Sequence, residues 1–131
     1  MADWSELDQF PFGDSPDLAD ELLALILEGR KTATCWSAHE GRKGSEVGKQ
    51  WVVLNGSGAP RAVLKTTELV QQGFNEVDAS FAFDEGEGDR SLAYWRAAHQ
   101  HYFARNGGFE PKMLLWCERF QLIEIITAPG T

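Results

Sequence analysis

What most constrains this chain is a helix with both ends written into the sequence and a strand signal directly behind it. Asp14-Ser15-Pro16-Asp17 opens the helix. Ser15 is a capping residue, Pro16 fits the first helical position, where its missing N–H costs nothing, and Asp17 complements the dipole. Leu18, Leu22, Leu25 and Ile26 recur on one face, and Gly29 supplies the left-handed residue that ends a helix. Thr32 to Ser37 then reads as a short strand with β-branched and aromatic residues. Arg30, Lys31, Thr32 and Thr34 therefore fall at the seam between two packed elements. The helix dipole alone also accounts for a cation at that place. In a regular strand Lys31, Ala33 and Cys35 share one face and Thr32, Thr34 and Trp36 the other, so Lys31 and Thr34 meet only through a twist or bulge.

Residues 38 to 49 carry glycines at 41, 44 and 48 without apolar periodicity, which predicts a polar loop. Trp51 to Leu54 and Ala62 to Val70 read as antiparallel strands joined by Asn55-Gly56-Ser57-Gly58. Asp78 to Phe83 predicts one helical turn. The glycines of Asp84-Glu85-Gly86-Glu87-Gly88-Asp89 place the following acidic side chains on a loop. Ser91 opens a second long helix in which Leu92, Trp95, His99 and Tyr102 or Phe103 keep core spacing, closed by Asn106-Gly107-Gly108. Met113 to Ile126 predicts one long strand or two short ones, and the last residues are expected to fray.

A chain of 131 residues, 43% of them hydrophobic, is long enough for one domain with a real core. No apolar run approaches a membrane span, and the first residues lack the basic start and apolar middle of a signal peptide, so a cytoplasmic protein without membrane contact is expected. Cys35 and Cys117 are far apart in sequence and match no metal-ligand spacing, which predicts reduced thiols in strands. The net charge of −8 argues against gripping long nucleic acid through the whole surface. Between residues 30 and 49, however, Arg30, Lys31, Arg42, Lys43 and Lys49 face only Glu40 and Glu46, a local +3 on a body of −11. That distribution suits a small basic cleft for a nucleoside, a nucleotide or a short single strand.

Lysine, threonine and a carboxylate make a workable set for hydrolysing an amide. A threonine hydroxyl becomes nucleophilic once a base takes its proton, and a lysine whose pKa is depressed by burial can be that base. A carboxylate then carries the proton to the leaving nitrogen. Glu85 and Glu87 are the candidates, and a solvated acidic loop is the competing explanation of both. Asp84, Glu85, Glu87 and Asp89 could instead share Mg²⁺ or Mn²⁺, although their spacing does not match a calcium hand. Trp36, Trp51, Trp95 and Trp116 all read as core, and Trp36, which follows Thr34 on the same strand face, is the one that could instead stack on a base. His99 reads as a core-facing side chain and His39 as a loop residue.

In their order along the chain, Glu28-Gly29-Arg30-Lys31-Thr32-Ala33-Thr34, then Val47-Gly48-Lys49, then Phe81 to Arg96 with its Glu85-Gly86-Glu87-Gly88-Asp89, resemble the ASCH domain family. The last segment looks like the family's longer bacterial branch, and the resemblance covers about residues 10 to 125 of a single domain spanning 1 to 131. It implies an α+β, PUA-like fold, a small β-barrel with helices packed around a cleft, and an association with RNA. A short bacterial member is an amidohydrolase that removes the acetyl group from N4-acetylcytidine with a lysine, a threonine three residues later and a glutamate before the second major helix. Its lysine and threonine match Lys31 and Thr34 without a gap, and its Ala-x-x-Glu matches Ala82 to Glu85, while spacing back from the helix allows Glu87. The acidic glycine-rich loop is absent from that short enzyme. The resemblance thus implies Lys31, Thr34 and Glu85 as catalytic residues. Arg30, Trp36, Arg42, Lys43 and Glu87 are expected to bind substrate, with no cofactor and no metal for amide hydrolysis. Other members are linked to RNA cleavage or RNA binding. A ribonuclease acting on single-stranded RNA, with a divalent metal, and a non-catalytic RNA-binding module are therefore the alternatives. The expected partner is a nucleoside or single-stranded RNA, and the chain a monomer or homodimer. Lys31 is expected to line a cleft within reach of Thr34, its pKa lowered by burial.

Overall fold

Ser15 does cap: its Oγ accepts the N–H of Leu18, and the helix behind it runs over Pro16–Leu27. Gly29 follows with φ +80°, and the N–H groups of Arg30 and Lys31 both return to the Leu25 carbonyl, at 2.9 and 3.1 Å. The helix end is thereby satisfied and the chain is turned toward the sheet. The structure is a computed structural model that describes residues 4–126. Both the leader reading of the first residues, in its Met1 to Asp3 part, and the expected fraying of the last lie outside the described residues.

In chain order the elements are β1 (Gln9–Pro11), α1 (Pro16–Leu27), β2 (Ala33–Ser37), β3 (Gln50–Leu54), β4 (Pro60–Gly73), α2 (Ala79–Glu85), α3 (Leu92–Arg105) and β5 (Leu114–Ile125). The strands form one five-stranded sheet in the order β1-β3-β4-β5-β2, with β1 parallel to β3 and every other pair antiparallel. The fold is α+β as expected, but the sheet is not closed into a barrel. Its edge strands, β1 of three residues and β2 of five, lie at opposite ends of the order, and among the described residues no ladder joins them. Curvature comes from register shifts in the β4–β5 ladder at Val63/Leu64 and Thr66/Glu68, irregularities that bend and twist a strand without closing the sheet.

Each face of the sheet carries its own core. On one, Leu23 and Ile26 of α1 pack with Trp51, Val53, Leu64 and Phe120. On the other, Phe81, Trp95 and Phe103 from α2 and α3 join Phe74, Val77, Ala33, Leu115 and Cys117. Burying each large side chain of this kind contributes about 1.5–3 kcal/mol. Trp36 is half-buried and Trp116 likewise, so neither joins these clusters fully, whereas Trp51 and Trp95 do.

Two elements depart from the sequence reading, and a third settles an alternative it left open. The fourth strand continues past Val70 to Gly73, because Leu69 to Gly73 still pair with Glu118 to Leu114. The Met113 to Ile126 segment forms one long strand, β5. Most consequentially, α2 does not stop at Phe83: it runs to Glu85, capped by Asp78 and ended by Gly86 at φ +77°. A glycine just past a helix terminates it favourably, so the acidic segment begins inside the last helical turn, not on a solvated loop. The two cysteines are free thiols directly opposite each other across the β2–β5 pair, Cys117 buried and Cys35 half-buried.

Gly86 also lies against the chain leaving α1. A Cβ on it would sit 2.3 Å from the Arg30 carbonyl oxygen, whereas a Cβ on Gly29, at a similar φ of +80°, would meet nothing within 4 Å. Gly86→Ala is expected to lower unfolding free energy by about 2–4 kcal/mol, strain and clash together, and Gly29→Ala by only about 1 kcal/mol. Urea denaturation of the two variants checks this; equal losses would show that the contact with Arg30 carries no energy.

Candidate active site

Lys31 is 2% exposed, and its ammonium has three acceptors for its three protons. Nζ donates to Glu85 Oε1 at 2.9 Å, to Glu87 Oε2 at 3.1 Å and to the Glu85 carbonyl at 3.4 Å. The backbone explains the convergence. Lys31 follows the turn after α1, Glu85 is the last residue of α2, and Gly86 lets the next residues fold back so that Glu87 approaches from the other side. The Thr32 N–H donates to the Asp84 carbonyl at 2.7 Å, locking the two segments together.

Glu85, 1% exposed, uses its second oxygen as well. Its Oε2 accepts the Trp95 indole N–H at 2.9 Å and lies 3.4 Å from His99 Nε2. Trp95 and His99 are four apart on α3 and stack with ring centroids 4.3 Å apart. His99 Nδ1 is 2.9 Å from the Trp95 carbonyl; as its N–H donor it leaves Nε2 facing the carboxylate.

Burial works against the Lys31 charge, but Glu85 and then Glu87 more than offset it and raise the pKa above that of a free lysine. The expected depression by burial is therefore overturned: the carboxylates, absent from a burial-only argument, decide the sign. Burial likewise opposes ionisation of Glu85, yet Lys31, His99 and the Trp95 hydrogen bond bring it below the ordinary carboxylate range. For His99 burial lowers the pKa, and Glu85 outweighs that and raises it. Burial and the neighbouring Glu85 keep the Cys35 thiol protonated.

Of the residues singled out from the sequence, Lys31, Thr34, Trp36, Arg42, Lys43, Glu85 and Glu87 line one cavity of about 990 Å³. Arg30 does not; its guanidinium donates to the Gly88 carbonyl at 3.3 Å. Lys31 and Thr34 share the cavity wall without a hydrogen bond between them, since the ammonium is occupied by the two glutamates. The Thr34 hydroxyl has no hydrogen-bond partner among the described residues. Trp36 is anchored by its N–H to the Gly41 carbonyl at 2.7 Å, with the Lys43 ammonium 5.8 Å from its ring centre, and the Arg42 guanidinium lies 5.8 Å from the Trp116 ring.

The four acidic side chains once grouped for a metal diverge. Asp84 turns to Arg119 at 2.9 Å, Asp89 accepts the Ser91 N–H at 2.9 Å, and the cation between Glu85 and Glu87 is Lys31. The set of metal-ligand type among the described residues is instead Cys35, Glu85 and His99, whose donor atoms lie within 4.8 Å of one another. A soft divalent ion there would have to displace the Cys35 proton and compete with Lys31 for Glu85. Sequence reasoning left Trp95, His99 and Glu118 outside the site. The Trp-x-x-x-His spacing, which puts both rings on one helical face, and an acid that shares its face of β5 with the core residues Phe120 and Leu122 are the signals that identify them.

A family model described as "ASCH domain" matches residues 8–124. Protein EF3133 from Enterococcus faecalis V583 is 32% identical, covering 90% of this chain and 77% of its own, with a TM-score of 0.81. The structure of an ASCH domain from Lactobacillus crispatus JV V101 is 33% identical over 88% of this chain and 79% of its own, with a TM-score of 0.79. Hypothetical protein PH0355, 13% identical with a TM-score of 0.61, shares the fold alone. Among curated proteins none matches.

Because the His99 pKa is raised, the imidazolium contributes stability that is fully present below the ordinary imidazole value and lost as pH rises through the raised one. In an NMR titration His99 should lose its proton above the pH of a free histidine, and Glu85→Gln should bring it back to or below that value. A wild-type His99 titrating like a free imidazole would contradict the pairing with Glu85.

Proposed function

The chain belongs to the ASCH domain family, and we propose that within it this protein is a hydrolase that removes the acyl group from an N-acylated pyrimidine nucleoside such as N4-acetylcytidine. The observation that carries the reading is a buried Lys31–Glu85 pair, 2.9 Å apart, at the wall of a cavity of about 990 Å³, ample for a nucleoside, that Thr34 also lines with a hydroxyl free of hydrogen-bond partners among the described residues. The pair holds a base and an acid with one proton between them. Shifting that proton from Nζ to Oε1 turns Lys31 into a neutral amine and Glu85 into a carboxylic acid, a redistribution favoured once substrate expels water, because it removes two charges from a dry site.

Neutral Lys31 then takes the Thr34 hydroxyl proton as Oγ1 bonds to the amide carbonyl carbon. The C–N bond breaks, and the leaving nitrogen receives the proton from Glu85. Lysine is again an ammonium, glutamate again a carboxylate, and the acyl group is an ester of Thr34. Water hydrolyses the ester by the same exchanges, releasing the carboxylic acid and restoring the hydroxyl. Glu87, hydrogen-bonded to Nζ at 3.1 Å, and the Trp95 and His99 contacts to Glu85 keep the reacting groups in position.

A second reading, cleavage of single-stranded RNA, draws on the cation-bearing aromatic rim formed by Arg42 at Trp116 and Lys43 at Trp36, which suits stacking and phosphate contact. It calls for a divalent ion that the amide hydrolysis does without.

Pure protein incubated with N4-acetylcytidine should release cytidine and acetate with chelator present, and Thr34→Ala should lower kcat by about a thousandfold or more. The same change should alter stability by no more than about 1 kcal/mol, because the Thr34 hydroxyl has no hydrogen-bond partner among the described residues and alanine keeps the backbone ladder with Glu118. Lys31→Arg should be inactive, since guanidinium does not give up its proton. Cleavage of labelled single-stranded RNA that stops with chelator and returns with Mn²⁺, with no release of cytidine, would favour the ribonuclease.

A further inference from the structure

Across the β2–β5 ladder from Thr34 lies Glu118, a second carboxyl that the hydrolytic chemistry does not use. It is 3% exposed and carries no ion pair among the described residues. A buried carboxyl without a cation is costly and calls for a reason. Its Oε2 is fully engaged, accepting the Ser45 hydroxyl at 2.5 Å and the Thr66 hydroxyl at 2.7 Å. Thr66 is itself fixed as a donor to Glu118, because its Oγ1 accepts the Trp51 indole N–H at 3.2 Å. Among the described residues no donor reaches Oε1. Since no enclosed polar side-chain atom among the described residues lacks a partner, Oε1 opens onto the surface that Glu118 contributes to the cavity.

The lysines and arginines of that cavity wall are engaged elsewhere, Lys31 by Glu85 and Glu87, Lys43 by Glu40, Lys49 by Asp8, Arg105 by Asp14, and Arg42 beside the Trp116 ring. Burial raises the Glu118 pKa against the opposing effect of the two hydroxyl donors. With Oε2 taken up by the two hydroxyl donors, a proton on this carboxyl sits on Oε1, and the protonated group then presents one O–H donor to the cavity.

We propose that Glu118, held by Ser45 and Thr66, is a base-reading subsite that donates a hydrogen bond to the unprotonated ring nitrogen of a cytosine-type base and so selects cytosine over uracil derivatives. The inference rests on the nucleoside hydrolase reading and names what that site recognises. Cytosine N3 carries a lone pair that accepts from the acid, whereas uracil N3 carries a proton and would oppose donor to donor. Directly paired residues on neighbouring strands have Cβ atoms about 5 Å apart, so Thr34 and Glu118 bracket a short stretch of ligand. N3 and the acylated amino group sit on adjacent positions of one ring edge, which lets a single base meet Glu118 with its nitrogen and Thr34 with its acyl carbon. Trp36, on the same face of β2 as Thr34, offers the flat surface such a ring needs.

Binding of cytidine and uridine to the full chain, measured by calorimetry for wild type, Glu118→Ala and Glu118→Gln, tests this, alongside turnover of N4-acetylcytidine. Wild type should prefer cytidine, and Glu118→Ala should weaken cytidine about tenfold and erase the preference, raising KM more than it lowers kcat. Glu118→Gln should keep the preference: Ser45 and Thr66 would hold its carbonyl and leave its amide N–H as the donor, a rescue that a merely structural role does not predict. Equal binding of the two nucleosides by wild type, an undiminished preference in Glu118→Ala, or a Gln variant that behaves like Ala would overturn the proposal. Wild type that prefers cytidine yet fails to hydrolyse N4-acetylcytidine would overturn the hydrolase reading while leaving this subsite standing.

Discussion

A fully buried ammonium can exist in this protein only because two carboxylates meet it, and much of the local architecture follows from that requirement. An isolated Lys31 at 2% exposure would cost several kcal/mol in lost hydration. Glu85 and Glu87 return that energy only if both are within hydrogen-bond reach, which demands that the end of α2 and the turn behind it press against the segment leaving α1. Glu85 must in turn be held, and Trp95 and His99 on α3 occupy its other oxygen. Three helices are thus tied to one charge cluster. Pairs of this kind add little net stability compared with an apolar core, but removing one partner leaves a stranded charge worth about 3–5 kcal/mol. The cluster therefore specifies an arrangement more than it strengthens the fold.

The same cluster explains why a lysine suited to chemistry rests in its charged state. Burial alone would lower the Lys31 pKa; the two glutamates reverse that outcome. What results is a stored acid–base pair whose proton has a 2.9 Å path between partners, which a ligand that changes the local dielectric can bias. Glu118 presents the opposite solution to burial. It meets no cation, keeps two hydroxyl donors on one oxygen, and leaves the other facing the cavity. One cavity wall thus carries a carboxylate that a cation compensates and a carboxyl that meets none, two environments that push the same functional group in different directions.

Charge on the outside is organised with similar separation. The chain is strongly acidic, yet the loop between β2 and β3 sets Arg42 and Lys43 beside Trp116 and Trp36 at the rim of the cavity. A localised basic rim on an acidic body concentrates positive potential at one place while the negative charge lies elsewhere on the chain.

Much of this was legible in the sequence by local rules. Ser15, Pro16 and Gly29 act through their own backbone, so the bounds of α1 were readable, as were the Asn55 to Gly58 hairpin and the Ser91 cap. The family, and with it Lys31, Thr34 and Glu85 as the residues to watch, followed from ordered short segments. The closed barrel did not survive, because closure depends on whether the two edge strands β1 and β2 come together, and no local pattern encodes that. Nor could the sequence give the sign of the Lys31 shift, the divergence of Asp84 and Asp89 from their neighbours, or the approach of His99 to Glu85. Each depends on a contact between residues far apart in the chain, and electrostatic energy is set by distance and burial in three dimensions, not by spacing along one. The sequence by itself determined which elements form and which reactive groups lie at their ends; tertiary structure alone decided which charges meet, which oxygen stays unpartnered, and so what the site can do.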